Sequence, residues 1–217
     1  MASDKIFQKR QAASAEALKR RRINERSENK TYLIVCEGHT EENYFRQLCG
    51  GRTNVKVTLD GGQCPVGIVT YAFENAEEYD AVICVFDHDK NQEKFSQARK
   101  MIKHPPSQYR KNLKNKKCIE AASNRCFEIW FLLHFSFSTK AFDCCDDVIA
   151  MLRTKTGFEK YKKADGTHYK LLADKTATAI ANAIKLEKSA EASDSPNPMT
   201  TVHYAVDYLL KGFREHP

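Results

Sequence analysis

Two short apolar runs, each leading directly into acids, constrain what this chain can fold into more than any other feature. Thr31-Tyr-Leu-Ile-Val-Cys36 leads into Glu37-Gly38-His39-Thr40, and Asp80-Ala-Val-Ile-Cys-Val-Phe86 leads into Asp87-His88-Asp89. Runs this short, rich in β-branched residues and apolar throughout, read as strands buried on both faces. Helical patterns follow them at 41–48, with Thr40 as N-cap and Gly50-Gly51 as the stop, and at 66–78. Residues 54–59 alternate as a strand, 91–103 form a polar helix, and 118–123 read as a strand again. Such alternation implies parallel βαβ units.

After Arg125 the pattern becomes helical, with candidates at 127–135, 143–153, 170–188 and 199–214. Between them 155–167 is polar, and 190–197 has the composition of a mobile loop. The expected architecture is an α/β domain over 31–217, with a mostly parallel central sheet flanked by helices and a helical C-terminal part. A basic arm over 1–30, partly helical or disordered, precedes it; it lacks the apolar stripe needed to enter a core.

Composition narrows the function classes. Hydrophobic residues make up 41% of the chain and charged residues 29%, a globular mix. No apolar run approaches the roughly 20 residues of a membrane span. Charges occupy the N-terminal stretch where a secretory signal needs apolar residues, so a cytoplasmic location is expected. The 8 cysteines include no CxxC pair, and Cys36, Cys84 and Cys118 lie in or beside strand-like runs. They read as reduced, buried thiols.

The net charge of +7 is concentrated. Residues 1–30 hold nine Lys/Arg against four acids, and 103–117 hold six Lys/Arg and no acid. Basic segments favour polyanions through counterion release. A solubilising tail and a solvated loop explain the same charges, and charge alone leaves both readings open.

In an open parallel sheet, ligands collect beyond the carboxyl ends of the strands. If the two acid-terminated strands are neighbours, Glu37, Asp87 and Asp89 meet there. Crowded carboxylates repel one another unless a hard cation joins them, and Mg²⁺ takes carboxylates together with retained waters. Gly38 permits a sharp turn and the close approach of a phosphate. Glu41 follows Glu37 by four residues in the first helical turn, as a further ligand or as an acid suited to the helix dipole.

A glutamate after the first strand and a DxD pair after the third resemble the Toprim fold. More closely, Ile34-Val-Cys-Glu-Gly-His-Thr-Glu-Glu-Asn-Tyr-Phe45 resembles the opening of the RloB-like family, which includes the AbiLii abortive-infection proteins. Three later segments extend the resemblance in order: Val85-Phe-Asp-His-Asp-Lys-Asn91, Ser123-Asn-Arg-Cys-Phe-Glu-Ile-Trp-Phe-Leu-Leu-His-Phe135 and Asn197-Pro-Met-Thr-Thr-Val-His203. It spans 31 to about 210 and leaves out the arm.

The resemblance implies a metal-dependent Toprim nuclease, related to the overcoming-lysogenization-defect nucleases, with one or two Mg²⁺ or Mn²⁺ ions. It also implies a role in bacterial antiviral defence beside an ATPase partner of the RloA or AbiLi type. Carried over by position, the metal ligands are Glu37, Glu41, Asp87, Asp89 and Glu128, with Glu37, Asp87 and Asp89 catalytic. Gly38, Ser123, Lys90, Arg110, Lys111, Lys114, Lys116 and Lys117 would meet nucleic acid. One departure stands out: the related nucleases have a tight Ser-x-Glu, whereas Ser123 and Glu128 are five apart. The chemistry these acids allow is in-line phosphodiester hydrolysis, with Glu37 as general base or ligand and Asp87 as the bridge between ions.

Other residues carry two readings each. His88 is a substrate contact or a solvated spacer, His134 a core histidine, and His203 a site residue or a packing one. Trp130, Phe131 and Phe135 read as core. Tyr161 and Tyr169, set among lysines, read as a surface loop before base-stacking. Lys90 and Lys170 are candidates for a catalytic lysine. Competing functions are a non-catalytic Toprim module binding nucleic acid or a partner, and a DxD glycosyltransferase, which leaves the Glu-Gly-x-Thr-Glu segment unexplained. A haloacid-dehalogenase-type phosphatase fits poorly, because Asp87-His-Asp-Lys-Asn lacks the following hydroxyl and sits on the third strand.

Overall fold

A computed structural model describes residues 30–62, 64–88, 92–193 and 195–215. Residues 1–29 of the expected 1–30 arm, together with Asp89 and Lys90, lie outside the described residues. The first half alternates as expected: β1 (Tyr32–Cys36), α1 (His39–Cys49), β2 (Val55–Thr58), α2 (Pro65–Glu74), β3 (Ala81–Asp87), α3 (Gln92–Lys103) and β4 (Lys117–Asn124). Helices α4 (Glu128–Leu133), α5 (Cys145–Leu152), α6 (Tyr169–Ala173) and α7 (Thr176–Ser193) follow, then β5 (Met199–Thr200) and α8 (Val202–Glu215). The sheet runs β2-β1-β3-β4-β5, with the first four strands parallel and β5 antiparallel to β4.

Every residue of β1 is buried, and alternate residues serve opposite faces. Leu33 and Val35, with Val82, Cys84 and Phe86 of β3, meet α2 and α3 through Ile68, Val69, Phe73 and Phe95. Tyr32, Ile34 and Cys36 meet a larger cluster built from Tyr44 and Phe45 of α1, Trp130 of α4 and Leu209 of α8. The expected core aromatics Trp130 and Phe131 are buried there, Phe135 packs at its margin, and His134 is buried with Nδ1 2.9 Å from the Trp130 carbonyl. The apolar strands and the helical second half thus share one sheet from its two sides.

Several local expectations are corrected. Thr40 does not cap α1: Gly38, in extended conformation, is the N-cap, and the Thr40 hydroxyl accepts the N–H of Ala164 at 3.0 Å. At the other end Gly50 adopts the left-handed conformation expected of a helix stop (φ 60°). The helix expected at 170–188 is divided into α6 and α7, and α7 runs to Ser193 into the expected mobile loop. The stretch read as polar, 155–167, buries Phe158 and Tyr161, which overturns the surface reading of Tyr161.

The helix expected from residue 199 begins only at Val202, because Met199–Thr200 pairs with β4. Thr201 secures that junction. Its N–H donates to the Ala122 carbonyl at 2.8 Å, and its hydroxyl accepts the Ala122 N–H at 2.9 Å. Periodicity cannot reveal a two-residue strand fixed by a partner 77 residues away. Nor are all eight cysteines free thiols: Cys126 and Cys145 form a disulfide, and Cys144 is exposed.

Candidate metal centre

β1 and β3 are direct neighbours, in register from Tyr32 with Ala81 to Cys36 with Val85. The ladder extends one residue further, where the Glu37 N–H donates to the Val85 carbonyl at 3.1 Å. That places Glu37 against the end of β3, and its Oε2 accepts the N–H of Asp87 at 2.9 Å. Asp87 Oδ2 in turn accepts the N–H of Phe127 at 3.1 Å, which ties the end of β3 to the entrance of α4. Glu128, the first residue of α4, is 1% exposed, and its Oε1 accepts the Tyr161 hydroxyl at 2.9 Å. Glu41, in the first turn of α1, is 5% exposed.

Four carboxylates from three parts of the chain therefore interact electrostatically, and their titration reflects it. Burial, then the carboxylates of Glu128 and Glu37, push the Glu41 carboxyl from 4.5 up to about 7, against the opposing charge of Lys163. Burial, then Glu41, Glu128 and Glu37, raise Asp87 well above the carboxylate range. A cluster in this condition lacks positive charge. The expected ligands Glu37, Glu41, Asp87 and Glu128 are thus together, and Gly38 belongs with them: a Cβ there would stand 2.9 Å from Glu41 Oε2. Gly38 leaves room for that carboxylate, a role distinct from the turn expected of it.

Other expected site residues lie elsewhere or are occupied. Ser123 is in register with Asp87, but it is buried and its hydroxyl pairs with that of Thr200 at 3.1 Å. Arg110, Lys111, Lys114 and Lys116 lie in the loop that leads into β4, which begins at Lys117. Lys117 pairs with Ala81 while Ser123 pairs with Asp87, so six residues of strand, about 20 Å, separate this loop from the acids. Lys111 there pairs with Glu77 at 3.7 Å, and Lys116 donates to the Glu77 carbonyl at 3.2 Å.

His203 is buried on α8 with Nε2 3.6 Å from Glu187, an acid outside the expected ligand set. His88 stacks edge-on with Phe95 and contacts Gln92. Lys170 is exposed on α6. A separate cleft of about 610 Å³, lined by Arg99, Glu120, Glu187, Tyr204 and Asp207, follows the side of β4 that β5 leaves uncovered. It contains none of the converging acids.

The sequence reading missed the segment that closes the centre. Asn43 Nδ2 donates to the Ala164 carbonyl at 2.7 Å and Gln47 Nε2 to that of Gly166 at 2.6 Å, so α1 holds 164–166 beside its first turn. This docking brings Tyr161 to Glu128 and the charge of Lys163 to Glu41. The available signal was Phe158 and Tyr161 three apart amid lysines, a helical-turn spacing of aromatics.

A family model described as RloB-like protein matches residues 32–209. Neither the curated proteins nor the solved structures gave a match.

Proposed function

The chain belongs to the RloB-like family, and from that premise we propose that it is a Mg²⁺- or Mn²⁺-dependent nuclease that hydrolyses phosphodiester bonds of DNA or RNA. The observation that supports this reading is the contact of Glu37 with Asp87 at 2.9 Å, with Glu41 and Glu128 raising the proton affinity of Asp87. These oxygen donors fit a hard cation, and the raised carboxyls are what a divalent charge would relieve. When bound, one or two such ions supply Lewis-acid polarisation of a phosphoryl oxygen and a more acidic water.

The protein's own groups divide the remaining work. Glu37 commits Oε2 to the Asp87 N–H, and Asp87 commits Oδ2 to the Phe127 N–H, so backbone donors orient both carboxylates at the strand ends. Tyr161 fixes the orientation of Glu128. Glu41 holds its proton up to about pH 7 in the cation-free cluster, so it can exchange one near neutrality. Lys163 brings a cation to the rim, the charge a phosphate seeks. Asp89, outside the described residues, follows Asp87 by two positions and completes the DxD pair. Service in antiviral abortive infection, with an ATPase partner of the RloA or AbiLi type, belongs to the same proposal through the family resemblance.

The test is metal-dependent cleavage of single- and double-stranded DNA and RNA. Wild type should cleave with Mg²⁺ or Mn²⁺ and stop on chelation. Asp87→Ala should fall to background while circular dichroism shows it still folded, since the repulsion it relieves offsets the loss of the Phe127 N–H acceptor. Equal cleavage by wild type and Asp87→Ala would place the chemistry elsewhere.

A further inference from the structure

The acids account for one side of Glu128; the other side faces sulfur. Cys126 precedes α4 and Cys145 opens α5, so the helix pair brings both cysteines to the Glu128 carboxylate. One Glu128 oxygen and the two sulfurs all lie within 4.8 Å of one another, with Cys126 and Glu128 buried. Cys145 Sγ is 3.6 Å from Glu128 Oε2, the oxygen that Tyr161 does not hold. The carboxylate is therefore already oriented by a donor behind it, as metal-ligating side chains are.

We propose that the reduced Cys126–Cys145 pair and Glu128 form a binding site for a thiophilic divalent cation, Zn²⁺ in the first instance. Two thiolates and one carboxylate with a water as fourth ligand match the open tetrahedral coordination of zinc. A hard ion such as Mg²⁺ disfavours the same set, because it prefers oxygen throughout. Formation takes two balanced steps. A dithiol reductant gives the disulfide two electrons and two protons and itself closes to a cyclic disulfide; the cation then displaces the two thiol protons. Bonds of about 2.3 Å to each sulfur at a tetrahedral angle need the sulfurs about 3.8 Å apart. The Cα atoms, 5.7 Å apart, permit that separation by side-chain rotation. The site does not rest on the nuclease reading. It does draw on Glu128, so a zinc here and a hard cation among the acids would compete for one carboxylate.

The test uses the full chain reduced with dithiothreitol, freed of reductant without air, and titrated with Co²⁺ as the spectroscopic probe. Reduced wild type should bind one equivalent with sulfur-to-cobalt charge-transfer absorption, and Zn²⁺ should abolish that absorption. Oxidised protein and Cys126→Ser should lack it, whereas Cys144→Ser, which alters the exposed neighbour, should keep it. Tyr161→Phe should retain the band but weaken binding by about tenfold to a hundredfold, as loss of an orienting partner does. Circular dichroism checks that each variant is folded. No band in the reduced wild type, or a band that survives in folded Cys126→Ser, would overturn the proposal; survival would direct attention to Cys84 and Cys118, which also interact.

Discussion

Replacing Glu41 by Gln should make the cation-free protein more stable, and the gain should depend on pH in a defined direction. The folded state raises this carboxyl from 4.5 to about 7. In the unfolded chain it ionises first, so between these two values the native state binds more protons and stability falls as pH rises. Below pH 4.5 there is no penalty; above pH 7 the full penalty remains. At about 1.4 kcal/mol per unit, the shift corresponds to about 3 kcal/mol. Gln keeps the shape and never ionises, and its amide can donate to the surrounding carboxylates. Its advantage should therefore be near zero at pH 4 and about 3 kcal/mol at pH 8, or roughly 6–12 °C in melting temperature for a chain of this size. Urea and thermal unfolding of chelator-treated protein at the two pH values measure it directly. Saturating Mn²⁺ should reduce the difference by stabilising wild type more. A variant no more stable than wild type at pH 8, or with the same difference at both pH values, would refute a repulsive cluster.

Three further outcomes follow. Gly38→Ala should weaken Mn²⁺ binding at least about tenfold by calorimetry while the fold persists: the new Cβ meets Glu41 Oε2 at 2.9 Å, and the backbone there, at φ −138°, suits any residue. Thr201→Val should cost about 1–3 kcal/mol in urea unfolding, because the Ala122 N–H loses its acceptor. Deleting residues 1–30 should weaken binding to all nucleic-acid sequences alike and flatten the salt dependence by about one unit of slope per lost phosphate contact. An unchanged slope in a filter-binding series would instead leave the arm as a solubilising tail.

What could be read in advance depended on whether neighbours in sequence carried the information. Apolar runs such as Tyr32–Cys36 declare themselves because each residue is buried by the sheet to which it belongs, so β1 to β4, the fold class and the positions of Glu37 and Asp87 were legible. Glu128 entered through family resemblance alone, since nothing in Phe127-Glu128-Ile129 announces a buried acid. Tyr161 was lost because lysines flank it: the local composition speaks of solvent, while the contact that buries it comes from Glu128, 33 residues away. The basic loop misled in the opposite way. Its charge was plain, but the register from Lys117 to Ser123 puts it at the far end of the sheet from the acids.

The two-residue strand β5 also bears on how the chain is made. Synthesis releases Glu37, Asp87 and Glu128 well before Thr200, and at 5–20 residues per second the interval from Glu128 to Thr200 lasts roughly 4–14 s. Throughout it, β4 presents an open edge, Ser123 has no hydroxyl partner, and α8 is not there to cover Tyr32. An uncovered strand edge is a template for any other extended chain, and the nearest are sister chains on the same messenger. A truncation before Met199 would hold the mature protein in that condition, so its first symptom should be aggregation during expression.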